Sequence, residues 1–448
     1  MRTHNGSDWR KLPLSLSELC IDTTLRCGQS FRWRKINDEW HCVLRGRIIS
    51  LKQDSSHLHY RVTWPKLATG PLTPPVSVSS TCPSPLRDKE SGAEKDDTYS
   101  LLHSYFALSH SLSSLYKQWA ASDTNFARRA PAFTGIRILN QDAWEALVAF
   151  ICSSNNNISR ISQMVQKLCT HYGPYIGTIE GEPFHDFPGP EALSGRQVEG
   201  HLRQLGFGYR AKYIAETACI LSRFKPAGWL LQLRNPDCPA FDGPGENRGT
   251  QDAKAAAGSA TYRAAHDALL QLPGVGPKVA DCVCLMGLGW GEAVPIDTHV
   301  WRIAQRDYNF GKGNKSKTLT KAMYDAVGDH FRSLWGPQAG WAQSVLFTAN
   351  LKSFAEQASA VKPETVVKVT RTERAALVYG SASADAEAAT VKVEESQETV
   401  IAKTNSQTRK RTLITAKESV EGDGKIIETE HVEVYTRRRS KRIKAAVS

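Results

Sequence analysis

The sequence predicts an α+β chain: an N-terminal antiparallel β domain, then an all-α region, then a polar tail. Three observations carry this. From Leu12 to Trp64 short segments alternate large and polar residues, as in Glu39-Trp40-His41-Cys42-Val43-Leu44, with Gly28 and Gly46 nearby to turn the chain. Ser30-Phe31-Arg32-Trp33-Arg34 reads as a strand in the same way. From 142 onward the apolar residues recur at helical spacing, over 142–153, 158–171, 197–205, 210–224, 264–272 and 341–350. After about Ser353 the chain turns to Ala, Thr, Glu, Ser, Lys and Val with neither period.

The expected domains are therefore 10–140 (β-rich), 141–352 (helical) and 353–448 (a disordered basic tail). Residues 65–98 are rich in Pro, Ser, Gly and charge and read as an inserted loop, with order resuming at Tyr99. A second insertion, about 235–259, reads as mobile.

Composition narrows the function classes. The 448 residues carry 57 Lys and Arg against 45 Asp and Glu, a formal net charge of +12. That balance favours a polyanionic partner without choosing between nucleic acid and an anionic membrane surface. No run of about 18 apolar residues marks a spanning helix, so no membrane partner is expected. Residues 1–14 hold no apolar stretch of signal-peptide length, which argues against secretion. The ten cysteines are scattered and read as reduced thiols. Cys282 and Cys284 have no CxxC partner, and no cysteine follows Cys284, so neither a zinc site nor an iron–sulfur cluster is expected, nor any other cofactor. The run Arg437-Arg438-Arg439-Ser440-Lys441-Arg442-Ile443-Lys444 reads as a nuclear-localisation or nucleic-acid patch, against the plainer reading of a solvated tail. The nucleus is the expected compartment, with a mitochondrial fraction left open.

The strongest local signal is Leu272-Pro273-Gly274-Val275-Gly276-Pro277-Lys278-Val279-Ala280. A helix ends at Pro273, two glycines one residue apart allow a tight hairpin, and Pro277 suits the first turn of the next helix. This helix-hairpin-helix leaves backbone N–H groups at Gly274, Val275 and Gly276 and at the new helix start free to hold a phosphate without reading sequence. A plain turn between helices is the alternative. Lys278 lies where the helix dipole disfavours a cation, and partial desolvation there pushes an amine toward its nucleophilic free form. Cys282 and Met286 follow at i+4 and i+8, so sulfur atoms share that face and can line a pocket for a flat ring. The plain reading has Lys278 as a surface cation and Cys282 as core. Asp297, in Val294-Pro295-Ile296-Asp297-Thr298-His299, stands at the N-cap of a further helix; capping is its ordinary task, and a carboxylate near Lys278 also steadies positive charge on a sugar.

These residues resemble a known family. LPGVGPKVADC with VPIDTHVWRIAQRD resembles the base-excision glycosylase superfamily. CGQSFRW at 27–33, FICSSNNNISRI at 150–161, LGFGYRAKYI at 205–214 and GWAQSVLF at 340–347 are similar to the eukaryotic 8-oxoguanine DNA glycosylases, and the likeness spans about residues 10 to 352. It implies a TBP-like N-terminal β half and a helical helix-hairpin-helix glycosylase region. It implies a bifunctional glycosylase and AP lyase that flips 8-oxoguanine out of duplex DNA opposite cytosine, acting as a monomer without a cofactor.

The resemblance also implies site residues. Lys278 becomes the nucleophile at C1′ and Asp297 its electrostatic partner. Gly28 accepts the N7 proton that only the oxidised guanine carries; unmodified guanine presents an acceptor there. Phe347 and Cys282 sandwich the base, Met286 lines the pocket and Gln343 bonds the Watson–Crick edge. Asn155, Arg160 and Arg210 read the estranged cytosine, Tyr209 wedges the opened stack, and His299 touches the phosphate beside the lesion. One position departs from the family pattern: Asn350 stands where an acidic residue is usual. Two alternatives remain at this point. A non-catalytic DNA-binding module needs no Lys278–Asp297 pair; a glycosylase for another lesion keeps the fold and changes the pocket.

Overall fold

The computed structural model describes residues 8–65, 96–240, 261–311 and 319–354, and the backbone of 411–421 and 424–434. The alternating N-terminal segments pair as an antiparallel sheet of β1 (Arg10–Pro13), β2 (Arg34–Ile36), β3 (Glu39–Leu44), β4 (Arg47–Gln53) and β5 (His57–Thr63), ordered β1-β5-β4-β3-β2. Two tight hairpins set its register. Ile36 pairs with Glu39 across Asn37 and Asp38, and Leu44 with Arg47 across Arg45 and Gly46. All four connecting residues have positive φ, the backbone that matches strand twist in a two-residue turn.

Ser30–Trp33 is not strand, contrary to the sequence expectation. Its side chains plug into the neighbouring helices instead: Phe31 meets Phe150 edge-on at 5.7 Å. Arg32 forms a forked pair with Glu145 at 2.9 and 2.7 Å and reaches Asp186 at 3.1 Å. Asp186 in turn accepts from the Gly46 N–H at 2.9 Å. Removing Arg32 would strand the Glu145 carboxylate in the interior, a loss of about 3–5 kcal/mol, whereas removing Glu145 leaves Arg32 still paired with Asp186.

After the single turn α1 (Ile21–Thr24), α2 (Thr98–Tyr105) packs Leu101, Leu102 and Tyr105 onto one face of the sheet. The region expected to be β-rich thus contains helices. Two more, α3 (Leu112–Ser122) and α4 (Thr124–Arg129), send Trp119 and Phe126 into the helical core. Next come α5 (Ala143–Cys152) and α6 (Ile158–Tyr172). All ten residues of α5 are buried, as its almost continuous apolar run requires, and Asp142 caps it through the Glu145 N–H.

The region read as wholly helical also holds a hairpin, β6 (Tyr175–Ile179) and β7 (Glu182–His185), turned at Glu180 and Gly181, both with positive φ. Its Phe184 covers Val43 and Ile48 on the sheet's other face, which a twisted sheet must bury against something. The helices continue as α7 (Val198–Gln204), α8 (Arg210–Arg223), the single turn α9 (Trp229–Gln232), α10 (Tyr262–Leu269), α11 (Pro277–Met286), α12 (Thr298–Asp307), α13 (Lys321–Trp335) and α14 (Ala339–Ala349). The α+β class stands, with the two kinds of element more interleaved than the sequence suggests.

Most of both expected insertions lies outside the described residues. Asn235–Ala240, assigned to the second, is held: the Asn235 amides donate to Leu288 O at 2.9 Å and Gly289 O at 3.0 Å. In the stretch read as an aperiodic tail, β8 (Arg411–Glu421) and β9 (Gly424–Val434) pair antiparallel, which corrects that reading for these residues. Glu421-Gly422-Asp423-Gly424 carries a Gly-Asp-Gly hairpin signal that the composition masked. The basic run 437–444 lies outside the described residues. Among those described, no helix is long and apolar enough to cross a membrane.

Candidate active site

The hairpin between α10 and α11 is shaped by what it packs against. Gly274 has φ +76°, and a Cβ there would lie 2.6 Å from the Tyr213 ring of α8, so only glycine fits. Thr217 on the same helix donates to Pro273 O at 3.2 Å. The Val275 side chain is buried and pegs the loop down, and its N–H already donates to Leu272 O at 3.2 Å, contrary to the expectation that this amide is free for a phosphate. Gly276 caps α11 with no side-chain partner, and nothing crowds its Cα. The first-turn N–H groups of α11 therefore remain available to an anion.

Lys278 is the second residue of α11 and half-buried. Its Nζ donates to Ser153 Oγ at 3.0 Å and lies 5.0 Å from the centroid of the Phe150 ring. The Ser153 hydroxyl donates to Phe150 O at 2.7 Å, which turns its lone pairs toward the lysine. Asp297 caps α12: its Oδ1 accepts from the His299 and Val300 N–H groups at 2.8 and 2.9 Å. Those two bonds engage one carboxylate oxygen and hold the group at the rim of the same cavity as Lys278.

That cavity brings together seven residues expected to act on the lesion: Gly28, Lys278, Cys282, Met286, Asp297, Gln343 and Phe347. Gly28 has φ +90°, and a Cβ there would meet Ile158 at 3.0 Å. Its loop is stitched down by the next side chain: Gln29 donates to Arg137 O at 2.7 Å and accepts from the Leu139 N–H at 3.0 Å. Burial pushes the Cys282 thiol up to about 11, against a smaller downward pull from Lys278, so the sulfur is neutral at physiological pH. The Gln343 amide is buried and bonds to no other described residue, which leaves it for a cavity occupant. Phe347 meets the His299 ring edge-on at 5.9 Å.

The residues expected to face the opposite base form a second cluster around the loop after α5. Asn155 is exposed with φ +46°. Asn156 holds the loop by donating to Cys152 O at 2.9 Å, and Asn157 caps α6. Tyr209 is exposed and donates to Ser154 O at 3.1 Å; exposed Arg160 reaches only Gly206 O, at 3.5 Å. Arg210 differs from expectation. It is buried, and its guanidinium donates to the carbonyls of Ser154 and of Asn155, the latter at 3.1 Å, because those carbonyls need a donor once the helix ends. Asn350, the departure from the family pattern, accepts from Arg306 Nη1 at 3.0 Å and donates to Leu346 O at 2.6 Å.

Sequence reasoning missed Ser153, Phe150 and Gln29. Ser153 and Phe150 stand in the quoted FICSSNNN motif, where attention went to the asparagines. No periodicity could reveal that a serine at the end of one helix meets a lysine 125 positions later.

A helix-hairpin-helix whose second helix presents a lysine to an aspartate-rimmed cavity is the arrangement of a DNA glycosylase of the base-excision class. The chain belongs to the 8-oxoguanine DNA glycosylase family: the model "8-oxoguanine DNA glycosylase, N-terminal domain" matches residues 11–147, and "HhH-GPD superfamily base excision DNA repair protein" matches 148–327. It is 37% identical over 364 residues to the N-glycosylase/DNA lyase of Saccharomyces cerevisiae, covering 76% of this chain and 86% of that protein. It is 35% identical over 347 residues to the N-glycosylase/DNA lyase OGG1 of Arabidopsis thaliana, covering 77% of this chain and 80% of that one. The apo-form of the Clostridium acetobutylicum 8-oxoguanine glycosylase/lyase has the same fold, with a TM-score of 0.54 at 20% identity, covering 74% of this chain and 93% of that chain.

Proposed function

We propose that Lys278 performs both steps of an N-glycosylase/DNA lyase acting on 8-oxoguanine opposite cytosine in base-excision repair. The damaged nucleotide leaves the stack and its base enters the cavity. Lys278 Nζ forms a bond to C1′ as the C1′–N9 bond breaks, and the base departs with the electron pair and takes up the proton that Nζ sheds. Asp297, its carboxylate fixed by two backbone N–H groups, stabilises the positive charge that develops on the sugar. Ring opening gives a Schiff base between Nζ and C1′. Loss of a C2′ proton then expels the 3′ phosphate and nicks the strand.

Lesion choice falls to Gly28, whose carbonyl accepts the N7–H of 8-oxoguanine and would face an acceptor in guanine. Gln343 bonds the Watson–Crick edge, and Phe347 and Cys282 hold the ring between them with Met286 behind. Asn155 and Arg160 serve the cytosine on the loop that Arg210 holds, Tyr209 fills the vacated stack, His299 contacts a phosphate, and the hairpin amides at Gly274 and Gly276 bind the backbone. The enzyme works as a monomer, and the basic run 437–444 directs it to the nucleus.

The observation that carries this reading is the convergence of Gly28, Lys278, Asp297 and Gln343, drawn from four separate segments, on one cavity. Borohydride trapping on a duplex with 8-oxoguanine opposite cytosine tests it. A covalent adduct with the intact protein, lost in Lys278→Gln, is expected. Robust trapping by Lys278→Gln would sink the assignment of the nucleophile, and failure to release the base would sink the function.

A further inference from the structure

Behind the cavity, three residues past Lys278 on α11, Asp281 is 1% exposed, a carboxylate almost wholly withdrawn from water. Groups from two flanking helices surround it. From α10, Tyr262 OH donates to Oδ1 at 2.5 Å and His266 Nε2 lies 3.7 Å from the same oxygen. From α13, Tyr324 OH donates to Oδ2, while Arg332 lies over the Tyr262 ring at 5.6 Å. No step proposed above uses this cluster.

Its position gives it a task. The Tyr324 hydroxyl also accepts from the Ile296 N–H at 3.3 Å. Ile296 is buried and immediately precedes Asp297. A continuous path therefore runs from the helix bearing the nucleophile, through the Asp281 carboxylate and the Tyr324 phenol, to the backbone amide beside the catalytic carboxylate. Lys278 and Asp297 themselves form no ion pair; each bonds elsewhere, to Ser153 and to the α12 amides. Among the described residues no direct bond sets their separation.

We propose that Tyr324, anchored on Asp281, is a positioning residue that sets Asp297 against Lys278 by holding the Ile296 amide. This rests on the reading of Lys278 and Asp297 as the reacting pair. The cluster contains its own control. Tyr262 and Tyr324 each give one phenol bond to the same buried carboxylate, and only Tyr324 reaches the Ile296 amide. Tyr262→Phe and Tyr324→Phe therefore remove comparable support from Asp281, while only the second frees the backbone beside Asp297.

The test measures, for both variants in the full-length chain, melting temperature, affinity for a duplex with 8-oxoguanine opposite cytosine, and single-turnover excision. Both variants are expected to melt lower by similar amounts and to bind DNA as the parent does. Tyr324→Phe is expected to excise about tenfold more slowly, because small displacements of a catalytic group cost that much or more, while Tyr262→Phe excises at the parental rate. Equal slowing in both variants overturns the proposal and leaves the cluster a structural one; an unchanged rate in Tyr324→Phe overturns it as well. Lys278→Gln run alongside separates the failures. If it no longer traps and Tyr324→Phe excises normally, only the positioning role falls; if it still traps, the nucleophile assignment falls and this proposal with it.

Discussion

The Lys278 cavity and the loop that carries Asn155 meet at the C-terminal end of α5, and they are held by different forces. On one side Ser153, the C-cap of α5, accepts from Lys278, and the cavity beyond it is walled by buried Cys282, Met286 and Gln343. On the other side, two residues later, Asn155 stands exposed with a left-handed backbone, kept in place by Arg210 and Asn156 bonding to main-chain carbonyls. The cavity is shaped by side-chain packing, where a displaced methyl group is felt. The loop is shaped by a few polar bonds, which can be exchanged for DNA contacts at small net cost. On the function proposed above, a rigid half suits a flipped base that must be told from guanine by one proton, and an exchangeable half suits the bases of an opened duplex.

The largest effect that bears on this contrast belongs to Gly28→Ala. The position combines φ +90° with 3.0 Å to Ile158 for any Cβ, so alanine strains the backbone and shifts the loop. Single-turnover excision of 8-oxoguanine is expected to fall about 100-fold, the scale of an ångström-sized misplacement, with duplex affinity nearly unchanged. Parental excision by Gly28→Ala would mean the cavity adapts as readily as the loop, and the contrast would fail.

Arg210→Ala probes the other half. It strips the Ser154 and Asn155 carbonyls of a charged donor, worth on the order of 2–4 kcal/mol of stability. The lowered melting temperature should come with roughly tenfold weaker binding, about 1.4 kcal/mol, and a smaller preference for cytosine over adenine opposite the lesion. Unaltered preference in binding assays would show that the loop keeps its shape without Arg210.

A thiol reports how closed the cavity is. Burial raises the Cys282 pKa from its ordinary value of 9.0 to about 11. The folded state thus retains a proton that the unfolded chain releases between those values. The stability this contributes is complete below about pH 9 and is lost as pH rises through about 11. Iodoacetamide labelling of Cys282, followed by mass spectrometry, should accelerate through about pH 11. A midpoint near 9 would mark the wall as solvated.

How much of this was readable beforehand follows the same division. The hairpin at 272–278 and the helix starts at Asp142, Pro277 and Asp297 were legible because caps, prolines and glycines act within a few residues. Gly28 could be placed in the pocket only through family resemblance; locally it is a turn glycine. Ser153, Tyr324 and the Arg32–Glu145 pair join segments 28 to 125 positions apart, and no local pattern encodes such partners. The misread strand at 30–33 fails for that reason too. Its alternation is real, but Phe31 and Arg32 face helices rather than a second strand.

The smallest effect belongs to Asn350, and it tests whether the rim of the cavity behaves like the core or like the loop. Asn350→Asp would give half-exposed Arg306 a second carboxylate beside Asp307, which it already bonds at 2.7 and 2.5 Å. A partly exposed pair of that kind contributes about 0–1 kcal/mol. Against it, the carboxylate would lose the bond that Asn350 donates to Leu346 O and would sit at the C-cap of α14, where the helix dipole opposes a negative charge by about 0.3–1 kcal/mol. The two contributions nearly cancel. Melting temperature should move by no more than about 3 °C, and single-turnover excision by less than about threefold, roughly 0.65 kcal/mol in barrier. A change of tenfold or more would show that charge at this position reaches His299 and Phe347 across the rim, and that the cavity's rigidity extends to its edge.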